Sequence, residues 1–451
     1  MHGTKSLILI VIDGLTPSMF EQVVGDGSTP ALALLASHGS YRRAVSTFPS
    51  LTPVCLSTLA TGAHPDVHEI PHLVWYHRGE QRLVEYGSSF AAVRAAGTRR
   101  SLQDTVYELN ASHLGKRAVT VYEALEDAGL TAAAVNITCY RGRTPHLPTV
   151  PILTRPAYGP KRFFFYNLFE SDFTGAPLSV RNRPGGTIDA YAGAVARWLV
   201  TRDGFDFLVY YLSDYDYASH LQGPDAAHEA LARCDEAVAS LIAAAGGEEE
   251  FLERYAVVLC ADHGQTSVLE VTRLEEVYPE LLVTASNRAG MVYADGELQP
   301  LAVRLDGNEA VEVVLYREGD EAVARREGEE LRFSPDGGDG ARFTTSGDAS
   351  ILDHPNALER AWAALANPNA GELLVSAALG WEFADLAGRH HAGGGSHGSL
   401  LVGDSEVPML TVGLDAGLDT LGPRSITDVM PFALEHFGVS LPAYARAPVR
   451  E

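Results

Sequence analysis

Short apolar runs alternate with amphipathic stretches along most of the chain. Residues 7–12 form an unbroken apolar run between Ser6 and Asp13-Gly14, the pattern of a strand buried on both faces. Similar runs recur at 130–137, 207–212, 256–260 and 408–412. Between them, residues 31–37, 119–128 (closed by Gly129), 188–200 and 225–245 show helical periodicity. The last of these starts at Pro224-Asp225, a favourable helix opening, and a further helix over 426–437 ends at Gly438. Strands alternating with helices predict an α/β fold with a mostly parallel central sheet covered on both sides.

One region breaks this rhythm. From 287 to 353 the chain carries short β-type pieces (301–305, 311–316 and 330–333) separated by Gly- and Asp-rich turns, with the longest turn at 334–340. The pattern predicts a small β-rich insertion or cap.

Composition narrows the function classes. The 451 residues suffice for one large α/β domain carrying an insertion. A formal net charge of −24 argues against a nucleic-acid polymer as partner, because that affinity comes largely from Lys and Arg on phosphates. A small phosphorylated substrate stays compatible, since bound metal ions would set the local field. Cys55, Cys139, Cys234 and Cys260 lie far apart, and all but Cys55 sit in apolar or helical stretches where buried free thiols are expected. Lys5 ahead of the run at 7–12 imitates a signal peptide, but the run is short and ends in Asp13-Gly14 without a cleavage site. No run approaches the ~20 apolar residues of a membrane span. A cytoplasmic chain without a membrane partner is expected, and nothing in the sequence bears on oligomeric state.

Four segments place acids and histidines just after an expected strand or in a connecting loop. In open α/β sheets ligands bind at the carboxyl ends of the strands. Asp13 follows the first run, Asp216 and His220 follow 207–212, and Asp262-His263-Gly264 follows 256–260. His397 sits in the loose run Gly393-Gly394-Gly395-Ser396-His397-Gly398. Singly, none points to a ligand: Asp-Gly after a strand is more often a turn, Asp216 and His220 read as a surface helix pair, and a His in a Gly loop is more often solvated. Together, three carboxylates and three imidazoles form a set suited to zinc, enough for two sites of about three protein ligands each.

A fifth segment reads Phe48-Pro49-Ser50-Leu51-Thr52-Pro53-Val54-Cys55, with Thr61-Gly62 nine and ten positions after Thr52. It resembles the nucleophile segment of the type I phosphodiesterase/nucleotide pyrophosphatase family, within the alkaline phosphatase superfamily. The family's strand-Asp-Gly, Asp-x-x-x-His with Gly-Pro, Asp-His-Gly and late His-Gly match Asp13-Gly14, Asp216/His220 with Gly223-Pro224, Asp262-His263-Gly264 and His397-Gly398, in chain order. Two departures stand out. The family's His-Gly-Ile is His68-Glu69-Ile70 here, and the Asn that follows it and holds a phosphoryl oxygen is replaced by His72-Leu73.

The resemblance implies an alkaline-phosphatase-like three-layer sandwich, with residues 1–286 and 354–451 as the catalytic domain and 287–353 as the insertion. It implies Thr52 as nucleophile and two zinc ions. Asp13, Asp262, His263 and the Thr52 oxygen would hold one ion, and Asp216, His220 and His397 the other. The implied activity is that of a phosphodiesterase or nucleotide pyrophosphatase working through a phosphothreonine. A phosphomonoesterase, a phosphonoacetate-type hydrolase and a catalytically silent phosphate-binding module are the alternatives. No Arg neighbours Thr52, so charge counting at the metals favours monoanionic diesters, unless Arg288 or Arg304 folds over the site.

Overall fold

A strand that is apolar at every position needs cover on both faces, and the first run duly sits inside the main sheet. In the computed structural model, which describes residues 4–149, 155–166, 168–169, 187–202, 204–337, 342–414 and 424–446, the strand Ser6–Ile12 pairs in parallel with Tyr255–Cys260 on one side and Phe207–Leu212 on the other. The sheet continues through Ala132–Val135 to Arg162–Phe164, again in parallel. Beyond Tyr255–Cys260 lies Glu406–Val412, which runs antiparallel, and then Gly39–Val45 at the edge. The expected mostly parallel sheet is therefore present, with one reversed strand. Two helix groups cover it. Pro30–Ser37, Thr187–Val200 and His228–Ala244 pack together, as do Thr52–Thr61, Val121–Asp127 and Val429–His436. Among the described residues, no helix is long and apolar enough to cross a membrane.

The parallel strands Ser6–Ile12, Phe207–Leu212 and Tyr255–Cys260 end side by side, so the residues that follow each of them meet at one edge. Tight turns make that meeting possible. Gly14 lies at φ 69, and a Cβ there would come 2.8 Å from both Asp216 Oδ1 and Gln265 Nε2. A side chain at Gly394 would run into the carbonyl of His220.

A second, wholly antiparallel sheet follows the order Leu282–Ser286, Ala289–Tyr293, Leu373–Ala377, Val311–Glu318, Glu321–Arg326, Glu329–Pro335, Phe343–Gly347. It draws in strands on either side of the β-rich stretch at 287–353. One expectation inside that stretch fails. Residues 301–305 belong to the helix Gln299–Asp306, because Pro300 suits a first helical turn and Ala302 and Leu305, three apart, are the buried pair. Residues 338–340 of the expected turn lie outside the described residues.

The hairpin between Leu282–Ser286 and Ala289–Tyr293 is pinned from inside. Fully buried Arg288 donates through Nη1 to both oxygens of fully buried Asp404, at 2.9 and 3.1 Å, and through Nε and Nη2 to the carbonyls of Trp381 and Ala378. Nearby, His72 accepts from the Val74 N–H at 3.1 Å and donates to the Ala289 carbonyl at 3.2 Å. Burial pushes His72 down to about 4, and His64 and His68 to about 3. All four cysteines are free and buried. Phe163, Phe164, Phe165 and Phe169 pack in the core, where they are unavailable for base stacking.

Two outcomes follow for stability. Arg288→Met leaves Asp404 buried without its cation, and should cost about 3–5 kcal/mol in chemical denaturation, much of it recovered when Asp404→Leu is added to the same chain. An unchanged midpoint would remove the ion pair from the account. The depressed histidines act in the opposite pH direction from a salt-bridged one. Their contribution is complete above the unfolded value of 6.5 and is lost as pH falls toward about 3–4. Metal-free protein should therefore lose stability from about pH 7 to about pH 5, and His72→Asn should flatten that slope by up to about 1.4 kcal/mol per pH unit. Parallel slopes for the two proteins would show that His72 is not held neutral.

Candidate active site

Each acid at the sheet edge keeps one oxygen engaged and turns the other inward. Asp13 Oδ2 accepts from the Tyr211 hydroxyl, while buried Oδ1 has no hydrogen-bond partner. Asp262 Oδ1 accepts the Gly14 N–H at 3.2 Å and the His263 N–H at 3.0 Å, and its Oδ2 is likewise unpartnered. Those two free oxygens lie 3.3 and 3.5 Å from His263 Nε2. Alongside, Asp216 Oδ1 accepts from Gln265 Nε2, and its Oδ2 lies 3.3 Å from His220 Nε2. His397 Nε2 stands 4.0 Å from Asp216 Oδ1.

The three imidazoles share one orientation rule. His220 Nδ1 faces the Gly395 carbonyl at 2.8 Å, His263 Nδ1 the Gly264 carbonyl at 3.0 Å, and His397 Nδ1 the Ser50 carbonyl at 2.7 Å. A carbonyl only accepts, so each Nδ1 carries the proton and each Nε2 presents a lone pair to the site. Carboxylate oxygens and imidazole Nε2 atoms thus converge on one space.

Such a cluster resists its own charge. Burial, and then the charges of Asp262 and Asp216, push Asp13 well above the usual carboxylate range. Asp262 is also raised, by burial above all, against the opposing pull of His263. Burial and then His263 drive His397 far below the ordinary histidine value. Divalent cations relieve all three at once, and the donors divide accordingly. Asp13, Asp262 and His263 offer ligand atoms within 4.8 Å of one another, and so do Asp216, His220 and His397. The orphaned oxygens and inward lone pairs fit metal ions in both groups.

Thr52 opens the helix Thr52–Thr61, its Oγ1 3.1 Å from His263 Nε2. Val54 and Cys55 both donate to the Leu51 carbonyl at 2.9 Å, which leaves the Thr52 N–H the free amide of that first turn among the described residues. A cavity of about 710 Å³ opens over Thr52, Asp216, His220 and His397, while Asp13, Asp262 and His263 are buried outside its lining. Exposed Phe90, Tyr217 and Leu221 stand at its rim.

All seven residues singled out in the sequence thus come together. Others were missed. Tyr211 lies within an apolar strand, where a tyrosine reads as core. Gln265 directly follows Asp262-His263-Gly264, and this adjacency was the available signal. His391 lines the cavity, stacks on His220 at 4.0 Å and meets buried Glu382 at 2.6 Å. Asn287 and Arg389 also line the cavity, from turns remote in sequence. Arg288 and Arg304 do not cover the site, because they are paired with Asp404 and Glu280.

Known proteins share this fold. The chain is similar in structure to the phosphonoacetate hydrolase of Sinorhizobium meliloti 1021 in complex with phosphonoformate, at 18% identity, 96% coverage of both chains and a TM-score of 0.63. It is similar to murine ectonucleotide pyrophosphatase/phosphodiesterase 5, at 12% identity, with 97% of this chain and 96% of that chain covered and a TM-score of 0.63. An inactive murine form in complex with AMP gives 12% identity, the same coverage and a TM-score of 0.62. At such identities the likeness is one of fold. No curated protein matches the chain. The model of type I phosphodiesterase/nucleotide pyrophosphatase, however, matches residues 7–400, a span holding all seven site residues. The chain therefore belongs to the type I phosphodiesterase/nucleotide pyrophosphatase family, metalloenzymes that hydrolyse phosphoric esters.

Proposed function

We propose that the protein is a two-zinc phosphodiesterase/nucleotide pyrophosphatase that acts through a covalent phosphothreonine at Thr52. The observation that carries this reading is the pair of acid–imidazole groups beside the Thr52 hydroxyl. Asp13, Asp262, His263 and the Thr52 oxygen would hold one ion, and Asp216, His220 and His397 the other. When bound, the ions supply Lewis acidity, which acidifies the threonine hydroxyl and the hydrolytic water and offsets negative charge on the phosphoryl oxygens.

The chain's own groups supply position. The helix start fixes Thr52 at the cavity floor, with its free N–H toward the end of the helix that favours anions. Tyr211 and Gln265 hold Asp13 and Asp216 in place. Thr52 Oγ1 bonds to phosphorus as the bond to the leaving alcohol or nucleotide breaks, and water then displaces the threonine. The open cavity accommodates the leaving group.

Three carboxylates and a Thr52 alkoxide formally cancel two divalent cations, so the site suits a monoanionic diester better than a dianionic monoester. Arg389 supports a second reading. It is the cationic side chain that lines the cavity among the described residues, and it is exposed. A substrate with a negative group away from phosphorus, such as a phosphonoacetate-type carboxylate, would meet it. The structural neighbour from Sinorhizobium meliloti is a phosphonoacetate hydrolase that holds phosphonoacetate.

Elemental analysis should find two zinc ions per chain. Thr52→Ala should retain them while losing at least about 10³-fold in turnover, and acid-quenched wild type should carry added phosphoryl mass on the Thr52 peptide. Substantial turnover by Thr52→Ala would mean that water attacks directly. Between a matched aryl monoester and its methyl diester, kcat/KM should favour the diester by at least about tenfold, or about 1.4 kcal/mol. Faster turnover of phosphonoacetate than of the diester, lost in Arg389→Ala, would make the second reading correct.

A further inference from the structure

The hairpin joining Leu282–Ser286 to Ala289–Tyr293 turns through two residues with different fates. Arg288 is consumed by Asp404 and two carbonyls. Asn287 is buried and lines the cavity. Its backbone lies at φ 58, which Asn tolerates and Gly adopts freely. The turn accounts for an Asn or a Gly at this position, but not for an amide side chain directed into the cavity.

That amide is rigidly placed. The Arg288 N–H donates to the His397 carbonyl at 2.9 Å, the Phe383 N–H to the Asn287 carbonyl at 2.7 Å, and the Ala377 N–H to the Arg288 carbonyl at 3.0 Å. Ser286 Oγ approaches the amide oxygen at 3.4 Å, and the amide nitrogen lies 3.0 Å from His397 Nε2. Because His397 gives its Nδ1 proton to the Ser50 carbonyl, Nε2 accepts from Asn287. A cation that takes this lone pair leaves the amide N–H without its acceptor at the cavity floor, and a buried donor left unpaired is costly.

The acceptor it would then meet belongs to the substrate. The His397 and His263 rings stack 3.6 Å apart and 8° from parallel, and Thr52 Oγ1 is 3.1 Å from His263 Nε2. The segment after the nucleophile has nothing to offer in this role. Both nitrogens of His72 are engaged by Val74 and Ala289, and Leu73, which does line the cavity, is apolar. We infer that Asn287 donates its side-chain N–H to a non-bridging phosphoryl oxygen of the substrate, so that the second sheet supplies the contact missing after Thr52. The inference rests on the phosphoryl-transfer reading proposed above.

Two variants test it in the zinc-loaded protein. Asn287→Gly keeps the left-handed turn and deletes the donor, and Asn287→Asp keeps the shape and reverses the polarity. Zinc content is measured by elemental analysis, orthophosphate affinity by calorimetry, and kcat and KM with the methyl aryl diester. Asn287→Gly should keep the wild-type zinc content. Both variants should bind orthophosphate at least about tenfold more weakly and lose about 10²-fold in kcat, with a smaller change in KM. If Asn287→Gly loses zinc and excess zinc restores its orthophosphate affinity, Asn287 serves His397 and not the substrate, and the inference fails. It also fails if both variants match the wild type within about twofold, while the phosphoryl-transfer reading survives. A wild type that, loaded with zinc, neither binds orthophosphate nor hydrolyses any phosphate ester overturns both.

Discussion

Three carboxylates and three imidazole lone pairs are gathered into one largely buried space, and none of these acids is paired with a Lys or Arg among the described residues. Bringing like charges together out of water is unfavourable, and proteins ordinarily avoid it or bury a cation beside it. Here the surroundings reinforce the arrangement. Tyr211, the Gly14 and His263 amides and Gln265 each hold one carboxylate oxygen in place. Three backbone carbonyls face the Nδ1 atoms and so turn the Nε2 atoms toward the acids. The result is an electron-rich pocket whose demand for positive charge is built into the fold, and membership of a metalloenzyme family is consistent with that demand.

The second sheet is tied to this pocket by one carboxylate. Asp404 accepts from Arg288 of the hairpin, from Thr266 just beyond the Asp262 motif, and from the amide and hydroxyl of Ser399 just beyond His397. Three segments distant in sequence therefore share a single buried anion. A buried ion pair is weak evidence for net stability, yet its loss on one side only is severe. Its effect here is positional, since it fixes the hairpin that clasps His397 and presents Asn287.

How much of this was legible in the chain depended on how local the signal was. The runs at 207–212 and 256–260 each lead into an acid and a histidine, so strand, strand end and candidate ligand could be read in one stretch. The helix at Gln299–Asp306 could not, because residues 301–305, four apolar and one Arg, fit either periodicity until a partner surface selects one. Leu373–Ala377 escaped notice for a related reason: it is short, and it joins its sheet far from the other strands in sequence.

The sequence by itself determined the class of chemistry. Residue types decide what can ligate or attack, and the order Asp13, Thr52, Asp216/His220, Asp262-His263, His397 is a property of the chain alone. Only the tertiary structure decided how those groups are poised. Which carboxylate oxygen stays free, which imidazole nitrogen carries its proton, where Arg288 spends its charge and which side chains fill the wall opposite Thr52 all depend on hydrogen bonds between segments as far apart as Ser50 and His397, or Arg288 and Asp404. Such bonds join backbone and side-chain atoms that no sequence pattern brings together, because their geometry exists only once the two sheets have packed.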